Sequence, residues 1–392
     1  MSKSKPVVEA APPQSPAEAL ECEAARALPL TSFYDTPADL AESKPGALLR
    51  EESFAGYTLP EGASALALRI LYHSRSAEGR EVATSAVVLK PAGPPPHAGW
   101  PVIAWAHGTS GWARQCAPSL MKDYFSRKEF FGTMLNAGFA VVATDYRGLG
   151  TEGPHQYNGL ALASDVVYSV KAARAADPDL GKHWVAAGHS RGGVTAWNVA
   201  ALQHELEDPY YLGAVSVAGG MQKDHAVAMI NAQSDPNEGG GIVTIAFDVK
   251  SVFPEFDPAA MLTDAGLKHY ADVTTKGCTS YAKACYAGVP PSSLLRPGWA
   301  DLPEVDRWFA GLVPGEKPIR GPILVITSPG DTAVRSDGIE ATVRRICRTH
   351  KEVTFRSYPN LDHGQVMAQT VGDQLAWIKD RFDGKPVPNY SG

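Results

Sequence analysis

The sequence predicts an α/β fold in which a mostly parallel central sheet is flanked by helices and carries an inserted cap (lid). Three observations point to it. Short apolar runs of strand length alternate with helix-like stretches from residue 101 onward, a rhythm that parallel neighbours require because their connections must cross over the sheet. A proline-rich connection, "PAGPPPHAGWP" at 91–101, separates that region from an earlier hairpin-like one. One interval, 221–316, is far longer than an ordinary crossover of this kind needs.

Taken in order, residues 1–30 form an Ala- and Pro-rich extension with no apolar run of signal-peptide length. As written, the chain therefore reads as cytoplasmic, an exported protein being the alternative. "ALALRILYHSRSAEGREVATSAVVLKP" at 65–91 reads as two strands around a polar turn. Buried strands follow at 101–108, 139–148, 183–190, 213–220, 321–331 and 352–360, with helices near 119–137, 161–176, 191–206, 336–350 and 365–382. Residues 31–220 and 317–392 make one core. Residues 221–316 are a cap placed at the carboxyl ends of the strands, where open α/β sheets bind ligands.

Composition narrows the partners. A net charge of -6 without a basic patch argues against nucleic acid. No stretch has the roughly 18–20 apolar residues of an integral membrane span. The five cysteines lack metal-ligand spacing and give no disulfide framework, although a Cys278–Cys285 bridge fits an exported protein. "NEGGGIV" lacks the Lys-Ser/Thr ending of a phosphate loop, and the chemistry below needs neither metal nor cofactor.

That chemistry starts at "GHSRGG", residues 188–193, between a strand and a helix. The G-x-S-x-G pattern in this context is a nucleophile elbow, a strained turn whose glycines leave room for neighbouring backbone. A serine hydroxyl needs a base to remove its proton, and the base needs a carboxylate to orient it. Asp331 in "ITSPGDTAV" and His363 in "SYPNLDHGQV" follow strands in the order Ser, Asp, His. Asp362, adjoining His363 in sequence, is badly placed to hold the ring from behind. The backbone N–H of Arg191 and that of Thr109, in "HGTSG" after an early strand, are the oxyanion donors. Phe253, Phe256 and Trp308 in the insertion are the substrate-pocket candidates.

With "CAPS" at 116–119 and "TDYRGLG" at 144–150, these pieces resemble the secretory lipase family of α/β-hydrolases, of the yeast lipase A type and with related bacterial esterases. The resemblance spans roughly 30–385. Where that family often has Gln after the nucleophile this chain has Arg191, which leaves the amide intact and alters the polarity of the pocket. The resemblance implies a cofactor-free serine esterase or lipase acting on a small-molecule ester or lipid of short to medium acyl chain. Alternatives on the same triad are a peptidase or an acyltransferase; outside enzymes, the alternative is a silent binding protein on the same scaffold.

Overall fold

The computed structural model describes residues 13, 15–220, 222–232, 239–312 and 317–387. A nine-stranded sheet is its frame: β1 (Leu48–Ser53), β2 (Ala65–Arg75), β3 (Glu81–Pro91), β4 (Trp100–Ala106), β5 (Ala140–Thr144), β6 (Leu180–His189), β7 (Tyr211–Val217), β8 (Ile323–Thr327) and β9 (Val353–Ser357). Their spatial order is β1-β2-β3-β5-β4-β6-β7-β8-β9. The first three strands and the β3–β5 pairing are antiparallel, and every later pairing is parallel. β1 was not legible in the sequence, because "LLREES" lies at an edge, is only half-buried and shows no clean alternation.

Side chains alternate between two apolar layers, as a two-residue period demands. Val102, Ala104, Ala186, Ala214 and Val325 face one layer. Ile103, Trp105, Ala187, Val215 and Leu324 face the other. Flanking helices are α2 (Lys128–Asn136), α3 (Gly159–Ala176) and α4 (Arg191–Leu206), preceded by α1 (Pro16–Arg26). The stretch expected to be helical from 119 to 128 is instead 3-10 helix and turn, with Tyr124, Phe125 and Ser126 all at φ between 53° and 59°.

Between β7 and β8 the described chain is helical: α5 (Lys223–Ala232), α6 (Gly239–Val252), α7 (Pro258–Met261), α8 (Asp264–Leu267), α9 (Tyr270–Val273), α10 (Thr279–Cys285) and α11 (Pro303–Leu312). The glycines of "NEGGGIV" open α6 rather than forming a loop, and Asn237 and Glu238 lie outside the described residues. A Cβ on Gly240 would stand 2.2 Å from the Ala282 carbonyl oxygen, so glycine lets α6 approach α10. α12 (Ser336–Ile346), α13 (His363–Gln369) and α14 (Val371–Phe382) complete the chain.

The N-terminal stretch 1–30 is not a loose appendage throughout. Residues 1–12 and 14 lie outside the described residues, but α1 starts on a Ser15 cap and packs against α10.

Candidate active site

Ser190 sits between β6 and α4 at φ 60° and ψ -123°, a conformation costly for any residue with a side chain. Its neighbours explain how the turn exists. A Cβ on Gly188 would lie 2.1 Å from the Gly192 oxygen, and one on Gly192 would lie 1.9 Å from the Ala106 oxygen. A Cβ on Gly193 would press the Val217 oxygen at 2.7 Å. The Ser190 N–H donates to Val217 O at 2.9 Å, tying the turn to the end of β7.

Asp331 follows β8, and its carboxylate is wholly buried. Oδ1 accepts the N–H groups of Ala333 and Val334, each at 2.9 Å, which aims Oδ2 at His363 Nδ1, 2.7 Å away. The Nδ1 proton is thereby committed and Nε2 is left as the basic nitrogen. Asp362 caps α13 instead, accepting from Gly364 N and Gln365 N. Ser328, which the sequence gave no reason to single out, rivets the two loops. Its hydroxyl donates to Leu361 O at 2.7 Å and accepts from Leu361 N and Gly330 N.

His189, read from sequence as pointing away, is instead part of the same assembly. Its ring packs on that of His363 with centroids 4.5 Å apart, and its Nε2 donates to the His363 carbonyl at 2.8 Å. Arg127 donates to His189 Nδ1 at 3.2 Å. Burial first, then the positive neighbours His363 and Arg127, hold His189 well below the usual histidine range, so it stays neutral and keeps this donor–acceptor order.

Ser190, Thr109, Arg191 and His363 line one cavity of about 470 Å³. Among the described residues neither Ser190 Oγ nor His363 Nε2 has a hydrogen-bond partner; catalytic contacts of this kind often tighten only when substrate is bound. Arg191 is the first residue of α4, so its N–H lacks an intrahelical acceptor. Of the aromatic pocket candidates only Trp308 reaches the cavity. Phe253 and Phe256 do not. α6 presents Gly241, Ile245 and Asp248 to it, a stripe spaced i, i+4, i+7, and both phenylalanines come after the helix has ended at Val252. Phe256 is core, and Phe253 lies under the Arg307 guanidinium.

The Arg191 side chain carries a role that the sequence hinted at only through its departure from Gln. It is buried, paired to Asp248 of α6 at 2.9 Å, and donates to His155 Nε2 at 2.8 Å. Its guanidinium lies over the Tyr157 ring, 3.9 Å from the centroid. Burial, and then Arg191 itself, keep His155 neutral and accepting.

The cysteine reading needs correction. Cys278 bridges not to Cys285 but to Cys116, in the loop after β4. Cys278 precedes α10 and Cys285 ends it, so a rise of about 1.5 Å per residue sets them roughly 10 Å apart, beyond disulfide reach. The bridge also joins hydrogen bonds from Thr279 N to Ser110 O and from Thr279 Oγ1 to Thr109 O, which tie the Thr109 loop to the insertion. Among the described residues no cluster of three or more His, Cys, Asp or Glu side chains is arranged to hold a metal.

The Alpha/beta hydrolase family matches residues 102–376. No curated protein matches the chain. Among solved structures, Candida antarctica lipase A superposes with a TM-score of 0.78 at 17% identity, covering 92% of this chain and 88% of that one. The rice cell wall degrading esterase LipA from Xanthomonas oryzae gives 0.72 at 18% identity, covering 88% of this chain and 100% of that one. At such identities the likeness establishes the fold.

Proposed function

We propose that this chain, which belongs to the alpha/beta hydrolase family, is a serine carboxylic ester hydrolase working through an acyl-enzyme on short- to medium-chain acyl esters. The observation that carries the reading is the Asp331–His363 pair at 2.7 Å sharing a cavity with a serine on a strained strand-to-helix turn. Ser190 Oγ attacks the ester carbonyl carbon as its proton passes to His363 Nε2. The oxyanion is held by the N–H groups of Thr109 and Arg191. Collapse expels the alcohol, which takes the proton from His363, and water repeats the sequence on the acyl-enzyme. Residues 221–316 act as the cap over this site. The Cys116–Cys278 disulfide supports the exported alternative, since disulfides persist in oxidising compartments. No helix among the described residues is long and apolar enough to cross a membrane.

A fluorophosphonate probe and a p-nitrophenyl butyrate assay test the reading together. Wild type is expected to be labelled at Ser190 alone, and Ser190→Ala to lose on the order of 10⁴- to 10⁶-fold in turnover. Labelling that persists in Ser190→Ala overturns it.

A further inference from the structure

We infer that the Arg191–Asp248 ion pair closes the inner end of the cavity to apolar chain and so restricts the acyl group to short lengths, acetyl to butyryl. The inference rests on the ester hydrolase reading and names the feature that sets its substrate.

The cavity has two ends of different character. Lys283, Asp362 and Gly364 are exposed at its mouth. Trp112, Tyr157 and Trp308 are buried at its inner end, material from which an acyl pocket could be built. An ion pair stands among them. Arg191 comes from the residue next to the nucleophile and Asp248 from the cavity-facing stripe of α6, and their side chains are only 5% and 3% exposed.

The aromatic groups are committed to this pair rather than to an open apolar surface. Trp112 Nε1 donates to Asp248 Oδ1 at 2.9 Å, and the Tyr157 face is covered by the guanidinium. Trp308 Nε1 donates to Tyr157 O at 2.9 Å, fixing the third ring against the second. Each methylene of an acyl chain gains about fourfold in transition-state binding, the equivalent of ~0.8 kcal/mol, only if it moves from water to apolar surroundings. A chain growing past Tyr157 meets a guanidinium and a carboxylate instead, and to continue it must part charges that have no water to return to.

Stability does not explain the arrangement. A buried ion pair is no better for the fold than well-packed apolar residues of the same volume. Its effect on the cavity is what distinguishes it from such residues.

Two measurements test the inference. In wild type, kcat/KM over p-nitrophenyl acetate, butyrate, hexanoate and octanoate should peak at or before butyrate and be at least tenfold lower at octanoate. An optimum at octanoate overturns the inference whatever the variants do. In the double variant Arg191→Met/Asp248→Leu, which removes both charges and leaves no partner stranded, the octanoate-to-butyrate ratio should rise at least tenfold, with rates normalised to sites titrated by the fluorophosphonate. Arg191→Gln/Asp248→Asn keeps a polar pair and should raise the ratio less. A ratio within twofold of wild type in the apolar double variant, with sites titrating fully, overturns the inference and leaves the hydrolase reading standing. Absence of both labelling at Ser190 and ester turnover in wild type removes the reading and the inference with it. If the double variant fails to fold, the wild-type series still decides.

Discussion

At the scale of single residues, the two neighbouring candidates for the histidine's carboxylate differ in what they already hold. Asp331 spends Oδ1 on two backbone amides and has Oδ2 left for His363, whereas Asp362 spends its side chain on the first turn of α13. Asp331→Asn should therefore cost on the order of 10⁴ in kcat through the wrong tautomer. Asp362→Asn should change kcat by less than about threefold, since Asn caps a helix as well as Asp. Steady-state rates on p-nitrophenyl butyrate separate the two, and reversed severities would move the acid to Asp362. Asp145 offers a second test. Burial pushes its carboxyl up to about 6, against the opposing hydrogen bonds of Ser119 and Ser85. Between its ordinary value and about 6 the folded state holds a proton that the unfolded chain has released. Stability should then fall as pH rises from about 4 to 6, by ~3 kcal/mol from this group. Urea midpoints at pH 4 and pH 7 should show that decline in wild type and a smaller one in Asp145→Asn. Equal declines would locate the titrating group elsewhere.

At the scale of elements, α1 and α10 depend on each other through one side chain. Cys278 supplies no side-chain cap to α10, and Glu23 of α1 takes that place by accepting Cys278 N at 2.8 Å and Tyr281 N at 2.9 Å. Burial raises the Glu23 pKa while these backbone donors oppose it, so the carboxylate is held by the helix end rather than by solvent. Removing it in Glu23→Ala should cost about 1–2 kcal/mol, a typical loss for a cap with buried donors left unmade. A melting temperature equal to wild type would show that α1 merely rests on the insertion.

At the scale of the whole molecule, the Cys116–Cys278 bridge spans 162 residues and joins the sheet's Thr109 loop to the insertion. Closing so long a loop restricts the unfolded chain, for a stabilisation of ~2–5 kcal/mol. Reductant should lower the melting temperature of wild type and leave Cys116→Ala/Cys278→Ala, already lower, unmoved. A reductant effect of equal size in both would mean that the bridge is not what it acts on.

Much of the architecture was legible because it is written locally. A parallel strand buried on both faces is a short apolar run, and the elbow's glycines sit within three residues of Ser190, so β4 to β9 and the strand-end positions of Ser190, Asp331 and His363 could be read from the chain alone. Three-dimensional packing decided what depends on contacts between distant segments. Apolar composition marks Phe253, Phe256 and Trp308 as buried without saying against what, and only the end of α6 at Val252 separates the first two from the cavity. Cysteine spacing does not encode partners, so Cys116 rather than Cys285 meets Cys278 only once α10 lies on the loop after β4. Likewise Asp248 reads as an ordinary polar residue in a helix, and it becomes Arg191's partner because the insertion folds back over the nucleophile and sets the two charges 2.9 Å apart where water does not reach.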